Sequence, residues 1–297
     1  MTSRRRPTPQ NIGKRARSSS AAQTIRAIYR KLSREWGPQH WWPAETAFEV
    51  MVGAVLTQNT SWINVERALA KLRQAGVLSA EGIRELSLGE LETLIRSSGY
   101  FRQKAQRLKS FIAFLDGKHG GSLDALLGIS TQQLRAELLA QKGIGPETAD
   151  SILLYAGHRA IFVVDAYTHR VLERHGAVAA GAKYDEIRGL VEHALRSEKP
   201  LPAVDRSARN SHHPEAHPPS AMSTASRVPL AQVYNEMHGL LVQVGKHYCH
   251  KQRPKCEICP LGTMLAEPVR AIAPHDAQDR QSVENRRAAK KPAKSRL

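Results

Sequence analysis

The sequence predicts an all-α fold, and three observations carry that reading. Apolar residues recur at i, i+3, i+4 and i+7 in one segment after another, the repeat of a single helix face. No stretch alternates apolar and polar residues as a half-buried strand does. The one β-like run, Ile161–Val164, is too short to build a sheet.

In chain order, a first helix is expected over residues 24–36. Phe48, Met51, Val52, Val55 and Leu56 then form one apolar stripe. Helical patterns follow over residues 63–75, 88–97, 104–116, 131–140 and 146–157, with a shorter one over 167–174. Ile187, Leu190, Val191, Ala194 and Leu195 repeat the spacing, as do Val233, Tyr234, Met237, Leu240, Leu241 and Val244. Between residues 197 and 227 the stripe vanishes into prolines and a His212/His213/His217 cluster, so a solvated insertion loop is expected there.

The chain has 297 residues, with 44 Lys+Arg against 27 Asp+Glu, a formal charge of +17. Such an excess points to a polyanionic partner, a nucleic acid or an acidic membrane surface. Ten Lys/Arg and no acid lie between Arg4 and Arg34, and seven with one acid between Arg280 and Arg296. Residues 1–20 and 274–297 are therefore expected to be flexible basic tails. No apolar run approaches the ~18–20 residues of a membrane span, and the start lacks the apolar stretch of a secretory signal. The three cysteines all fall within Cys249–Cys259, which excludes a disulfide framework and suggests a local metal site in a reducing compartment.

Residues 138–150, Leu-Leu-Ala-Gln-Lys-Gly-Ile-Gly-Pro-Glu-Thr-Ala-Asp, predict two helices joined by a tight turn. In that turn Gly143 and Gly145 let backbone approach a phosphate, and Ile144 lies between them. Pro146 suits the first turn of the following helix, whose amides and dipole would face an anion. Lys142 adds charge beside it. Eighteen positions after Glu147, Asp165 ends an apolar run and precedes a helical segment. There it is an N-cap, a charge held at a cleft mouth, or both.

Together these residues resemble the helix–hairpin–helix DNA glycosylases of the endonuclease III superfamily, in the order Gly143-Ile144-Gly145 and then Val163-Val164-Asp165. Residues 54–60, with Gln58, resemble the family segment whose glutamine enters the duplex; residues 98–105, with Tyr100, resemble the loop that wedges beside the target nucleotide. The resemblance covers residues 24–265 apart from the insertion. It implies a six-helix barrel over 45–159, with the hairpin motif at 131–157, and a second helical domain from 21–44 and 160–273. The DNA cleft would lie between the two. Bifunctional members carry a lysine where this chain has Glu147, and a carboxylate cannot form an imine. The resemblance therefore implies hydrolytic base excision, with Asp165 as the catalytic carboxylate and Glu147 as a second acid/base group or a mere helix-terminal charge. A lyase using another amine, Lys142 for instance, and a damage-binding protein without catalysis are the alternatives.

Flipping a base out of the stack needs groups to fill the gap and grip the base. Gln58 and Tyr100 are candidates for the gap, Trp62 and Tyr155 for the pocket. Cys249, Cys256 and Cys259 match three positions of the superfamily's [4Fe–4S] motif, while the fourth falls at Leu265. A cluster is expected all the same, with His247, His250, His275 or solvent at the fourth corner. Lys251, Arg253 and Lys255 between the cysteines would contact phosphates. The expected partner is double-stranded DNA bearing a damaged or mismatched base, engaged by a monomer in the cytoplasm at the nucleoid.

Overall fold

The computed structural model describes residues 9–200 and 214–265, with side chains from residue 19 onward. The thirteen α-helices among them are α1 (Pro9–Trp36), α2 (Ala47–Leu56), α3 (Trp62–Gln74), α4 (Ala80–Glu85), α5 (Leu88–Leu94), α6 (Phe101–His119), α7 (Leu123–Gly128), α8 (Thr131–Leu139), α9 (Pro146–Ser151), α10 (Ala166–Arg174), α11 (Tyr184–Leu195), α12 (Ala221–Thr224) and α13 (Pro229–His247). No strand occurs among the described residues, Ile161–Val164 included.

Short polar residues set many of the helix starts. Thr46, Ser79, Ser122 and Ser130 each accept a backbone N–H from their first turn. Ser87 and Glu90 form a reciprocal capping box at α5. One apolar cluster runs through the described residues. α1 packs against α11 and α13, and α10 lies along α13. α2 packs on α3, α6 and α9. α13 also touches a π turn, Ile152–Ala156, that continues α9.

Two expectations need correction. The first helix starts at Pro9, so residues 9–20 of the expected N-terminal tail are helical. Its basic start has no apolar stripe to announce it. The insertion is not wholly a solvated loop either. Ser223 of α12 is buried, and His217 packs against Trp41 with ring centroids 5.3 Å apart. Residues 201–213, with His212 and His213, and the expected tail at 274–297 lie outside the described residues.

Candidate active site

The hairpin between α8 and α9 is built as the residue types require. Gly143 adopts φ +87°, and a Cβ there would sit 2.4 Å from Arg107 Nε, so both conformation and space demand glycine. At Gly145 a Cβ would meet nothing within 4 Å; this position is open, not strained. Ile144 is buried and anchors the turn, while Lys142 is exposed beside it. Pro146 begins α9 with Gly145 as its N-cap.

Gln58 does not project outward. Its amide nitrogen donates to Gly143 O (3.0 Å) and Thr148 Oγ1 (2.9 Å), and its carbonyl accepts from Arg107. It braces the hairpin from the end of α2. The exposed residue beside it is Asn59, with φ +53°. Tyr100 does project: it is 66% exposed, with φ +46°, at the start of α6. The buried ammonium of Lys104 holds the two loops together, donating to Leu56 O (2.8 Å) and Ser98 O (2.6 Å).

Next to the hairpin opens a cavity of about 320 Å³, whose wall includes Trp41, Trp42, Trp62, Glu147, Asp165 and His238. That size suits a small-molecule ligand. Trp62 meets Trp41 and Trp42 with centroids 4.9 and 5.0 Å apart in edge-to-face contact. Trp62 Nε1 donates to Glu66 (2.7 Å), which fixes the indole. Tyr155 lies outside the wall, buried behind Trp42 at 5.2 Å. Of the two pocket aromatics expected from sequence, only Trp62 lines the cavity. Trp41, Trp42 and His238 were missed. The two tryptophans stand in an irregular segment without periodicity, and His238 sits inside an apolar helix stripe.

Asp165 fulfils both of its sequence readings. As N-cap of α10, its Oδ1 accepts the Thr168 N–H at 2.7 Å. Its Oδ2 stands 3.8 Å from His238 Nε2 on the cavity wall. Glu147 is exposed by surface area, yet many protein atoms lie close to its carboxyl. That surrounding, together with the Asp165 charge, pushes its carboxyl up to about 7.

Cys249, Cys256 and Cys259 all line a second, small, apolar cavity, together with Arg174, His175 and Leu265. Arg174 Nη1 lies 3.1 Å from Cys249 Sγ, and burial pushes the Cys259 thiol up to about 11. The three cysteines share this wall, and the Leu265 hydrocarbon on it offers no donor atom. His247 and His250 are absent from this wall, and His275 lies outside the described residues. The histidine that does line it is His175. Among the described residues no group of three or more His, Cys, Asp or Glu is placed to hold a single metal ion. Lys251, Arg253 and Lys255 are exposed on the loop between the cysteines.

Comparison with known proteins identifies the family. Residues 52–197 match the family model for HhH-GPD superfamily base excision DNA repair proteins. The Methanocaldococcus jannaschii protein named "Putative DNA repair glycosylase MJ1434" is 39% identical over 240 residues, covering 80% of this chain and 94% of that one. Endonuclease III of Thermotoga maritima is 26% identical over 71% of this chain and 79% of its own. Among solved structures, H. pylori 3-methyladenine DNA glycosylase (MagIII) bound to 1,N6-ethenoadenine matches with TM-score 0.60 and 27% identity, over 76% of this chain and 97% of that one. A trapped endonuclease III–DNA covalent intermediate, at 20% identity and TM-score 0.62, shares the fold. No described helix is long and apolar enough to cross a membrane. The chain belongs to the HhH-GPD superfamily of base excision repair DNA glycosylases.

Proposed function

We propose that this DNA glycosylase works by hydrolysis alone, on a purine made electron-poor by alkylation. One observation carries the reading: Asp165, Glu147 and the tryptophan cage share a single cavity beside the hairpin. Glu147 stands where a lyase needs an amine, so no Schiff base forms there. Lys142, the substitute expected from sequence, is exposed on the hairpin and absent from the cavity wall.

The hairpin amides and Lys142 hold the DNA backbone while Tyr100 fills the space the flipped nucleotide leaves. Gln58 supports the hairpin, and Asn59 at the loop tip faces the duplex. Lys251, Arg253 and Lys255 add phosphate contacts. The base enters the cavity beside the packed indoles, whose electron-rich faces favour a ring carrying positive charge. MagIII, similar over most of both chains, is named for 3-methyladenine and binds 1,N6-ethenoadenine. As the C1′–N bond breaks, the departing base takes the bonding electrons. The Asp165 carboxylate faces the positive charge growing on the sugar and then takes a proton from the attacking water. Glu147, raised to about 7, is a second group able to move a proton near neutrality.

If the chain carries a [4Fe–4S] cluster, Cys249, Cys256 and Cys259 would hold it; both ring nitrogens of His175, on the same wall, are engaged by Val171 O and Leu261 O. The cluster would brace the basic loop. No step of base release runs through it. The protein acts as a monomer.

A duplex panel with single lesions tests the reading. Hydrolysis leaves abasic sites in unbroken strands. An amine, Lys246, also lines the cavity, so trapping by borohydride at that residue would reveal a lyase instead. Binding without base loss would reveal a damage-binding protein.

A further inference from the structure

Three elements converge at the cavity wall. Tyr155 comes from the π turn, His238 from α13, and Asp165 from the start of α10. Tyr155 Oη and His238 Nδ1 lie 2.5 Å apart in the interior. His238 is 4% exposed, and its Nε2 has no hydrogen-bond partner in the protein. A buried ring nitrogen left unpaired is costly, and such groups are rare unless something else satisfies them. The 3.8 Å from Nε2 to Asp165 Oδ2 is too long for a direct hydrogen bond, and it is a span one water bridges once the ring edge, nearly closed to solvent, turns to the cavity.

The hydrogen-bond pattern settles which nitrogen carries the proton. Burial lowers the His238 pKa, so the ring is neutral with a single N–H. The Tyr155 phenol, also buried, keeps its proton. Its Oη lies 2.5 Å from Nδ1, and the Trp41 indole, which also interacts with that oxygen, can only donate, so the phenol donates to Nδ1 and Nδ1 accepts. The ring proton then sits on Nε2, facing the carboxylate and the cavity. The opposite tautomer would leave the phenol proton without an acceptor and set a lone pair against Asp165.

We propose that His238 is a positioning residue for the attacking water: its Nε2–H donates to the water oxygen while Asp165 Oδ2 accepts a water proton. The remaining lone pair of that oxygen points at C1′. The O–C1′ bond forms as the C1′–N bond breaks, the base leaves with the electron pair, and the water's proton passes to Asp165. Tyr155 acts one step further out by locking the tautomer. This inference rests on the hydrolytic reading above.

The experiment compares wild type, His238→Phe, His238→Gln, Tyr155→Phe and Asp165→Asn on the panel lesion that wild type releases fastest. Single-turnover base release, DNA affinity and the thermal midpoint are read for each. We expect His238→Phe to slow release about 100-fold with affinity unchanged, the size of loss expected when one positioned proton-transfer partner goes. His238→Gln, which keeps an N–H donor, should regain about tenfold, and Tyr155→Phe should fall between it and wild type. In a methanol–water mixture the methyl glycoside share of product should rise in His238→Phe, because water loses its place; a purely structural role would leave that share unchanged. Release by His238→Phe within about threefold of wild type, with Asp165→Asn inert, would overturn this inference alone. Full release by Asp165→Asn would overturn the hydrolytic reading and the inference with it.

Discussion

The Arg135 guanidinium grips Asp150 through two hydrogen bonds, 2.7 and 3.1 Å, across the two helices of the hairpin. Asp150 is fully buried, and Tyr184 Oη donates to it at 2.9 Å. This contact sets the angle at which α8 and α9 present the glycine turn. Without Arg135 the buried carboxylate keeps only the Tyr184 hydroxyl and the Arg188 guanidinium at 3.9 Å, a loss of about 1–3 kcal/mol. Arg135→Met should therefore lower stability by about that amount in denaturant unfolding and weaken DNA binding. An unfolding midpoint equal to wild type would show that the pair is not a hairpin brace.

The two hairpin glycines should behave differently. Gly143→Ala forces a Cβ onto Arg107 at a positive φ, so stability should fall by about 1–3 kcal/mol. Gly145→Ala has room in the free protein, so its thermal midpoint should hold. Its new methyl occupies the face offered to phosphate, and DNA affinity should drop at every salt concentration. Equal effects of both substitutions on stability would contradict the geometry.

Glu147 gives a pH signature with a definite sign. Its folded pKa, about 7, lies above its ordinary value of 4.5, so the folded protein binds the proton more tightly. Stability from this group is fully present below about 4.5 and is lost as pH rises towards about 7. Glu147→Gln should flatten that decline in chemical denaturation between those values. A variant whose pH dependence matches wild type would remove Glu147 from the cavity's electrostatics.

Trp41 and Trp62 should carry the grip on the extruded base. Base–aromatic stacking is worth about 1–3 kcal/mol, so alanine at Trp62 should weaken lesion-specific binding roughly 5- to 100-fold. Affinity for undamaged duplex, which depends on the backbone contacts, should stay the same. Parallel loss on both duplexes would place Trp62 outside the pocket.

The residues that repeat were the legible ones. The stripes of α2, α11 and α13 mark their helices because burial on one face imposes the 3.6-residue period. α4 and α7, at six residues each, are too short to show one. Asp165 was readable because an acid after Ile161–Val164 and before a helix has few roles, and it turned out to fill two. Gln58 was recognised as part of the site, but its bonds to Gly143 and Thr148 depend on partners distant in sequence. His238 looks like any polar residue on a helix until Tyr155 and Asp165 are brought against it. The packing of His217 on Trp41 joins segments that no local pattern connects.

The most direct test of the account is single-turnover base release by Asp165→Asn. The asparagine oxygen still accepts the Thr168 N–H, so α10 keeps its cap and the fold should hold. Without the negative charge, base release should fall about 1000-fold or more while damaged duplex stays bound with wild-type affinity. Release at the wild-type rate would contradict the assignment of catalysis to this carboxylate.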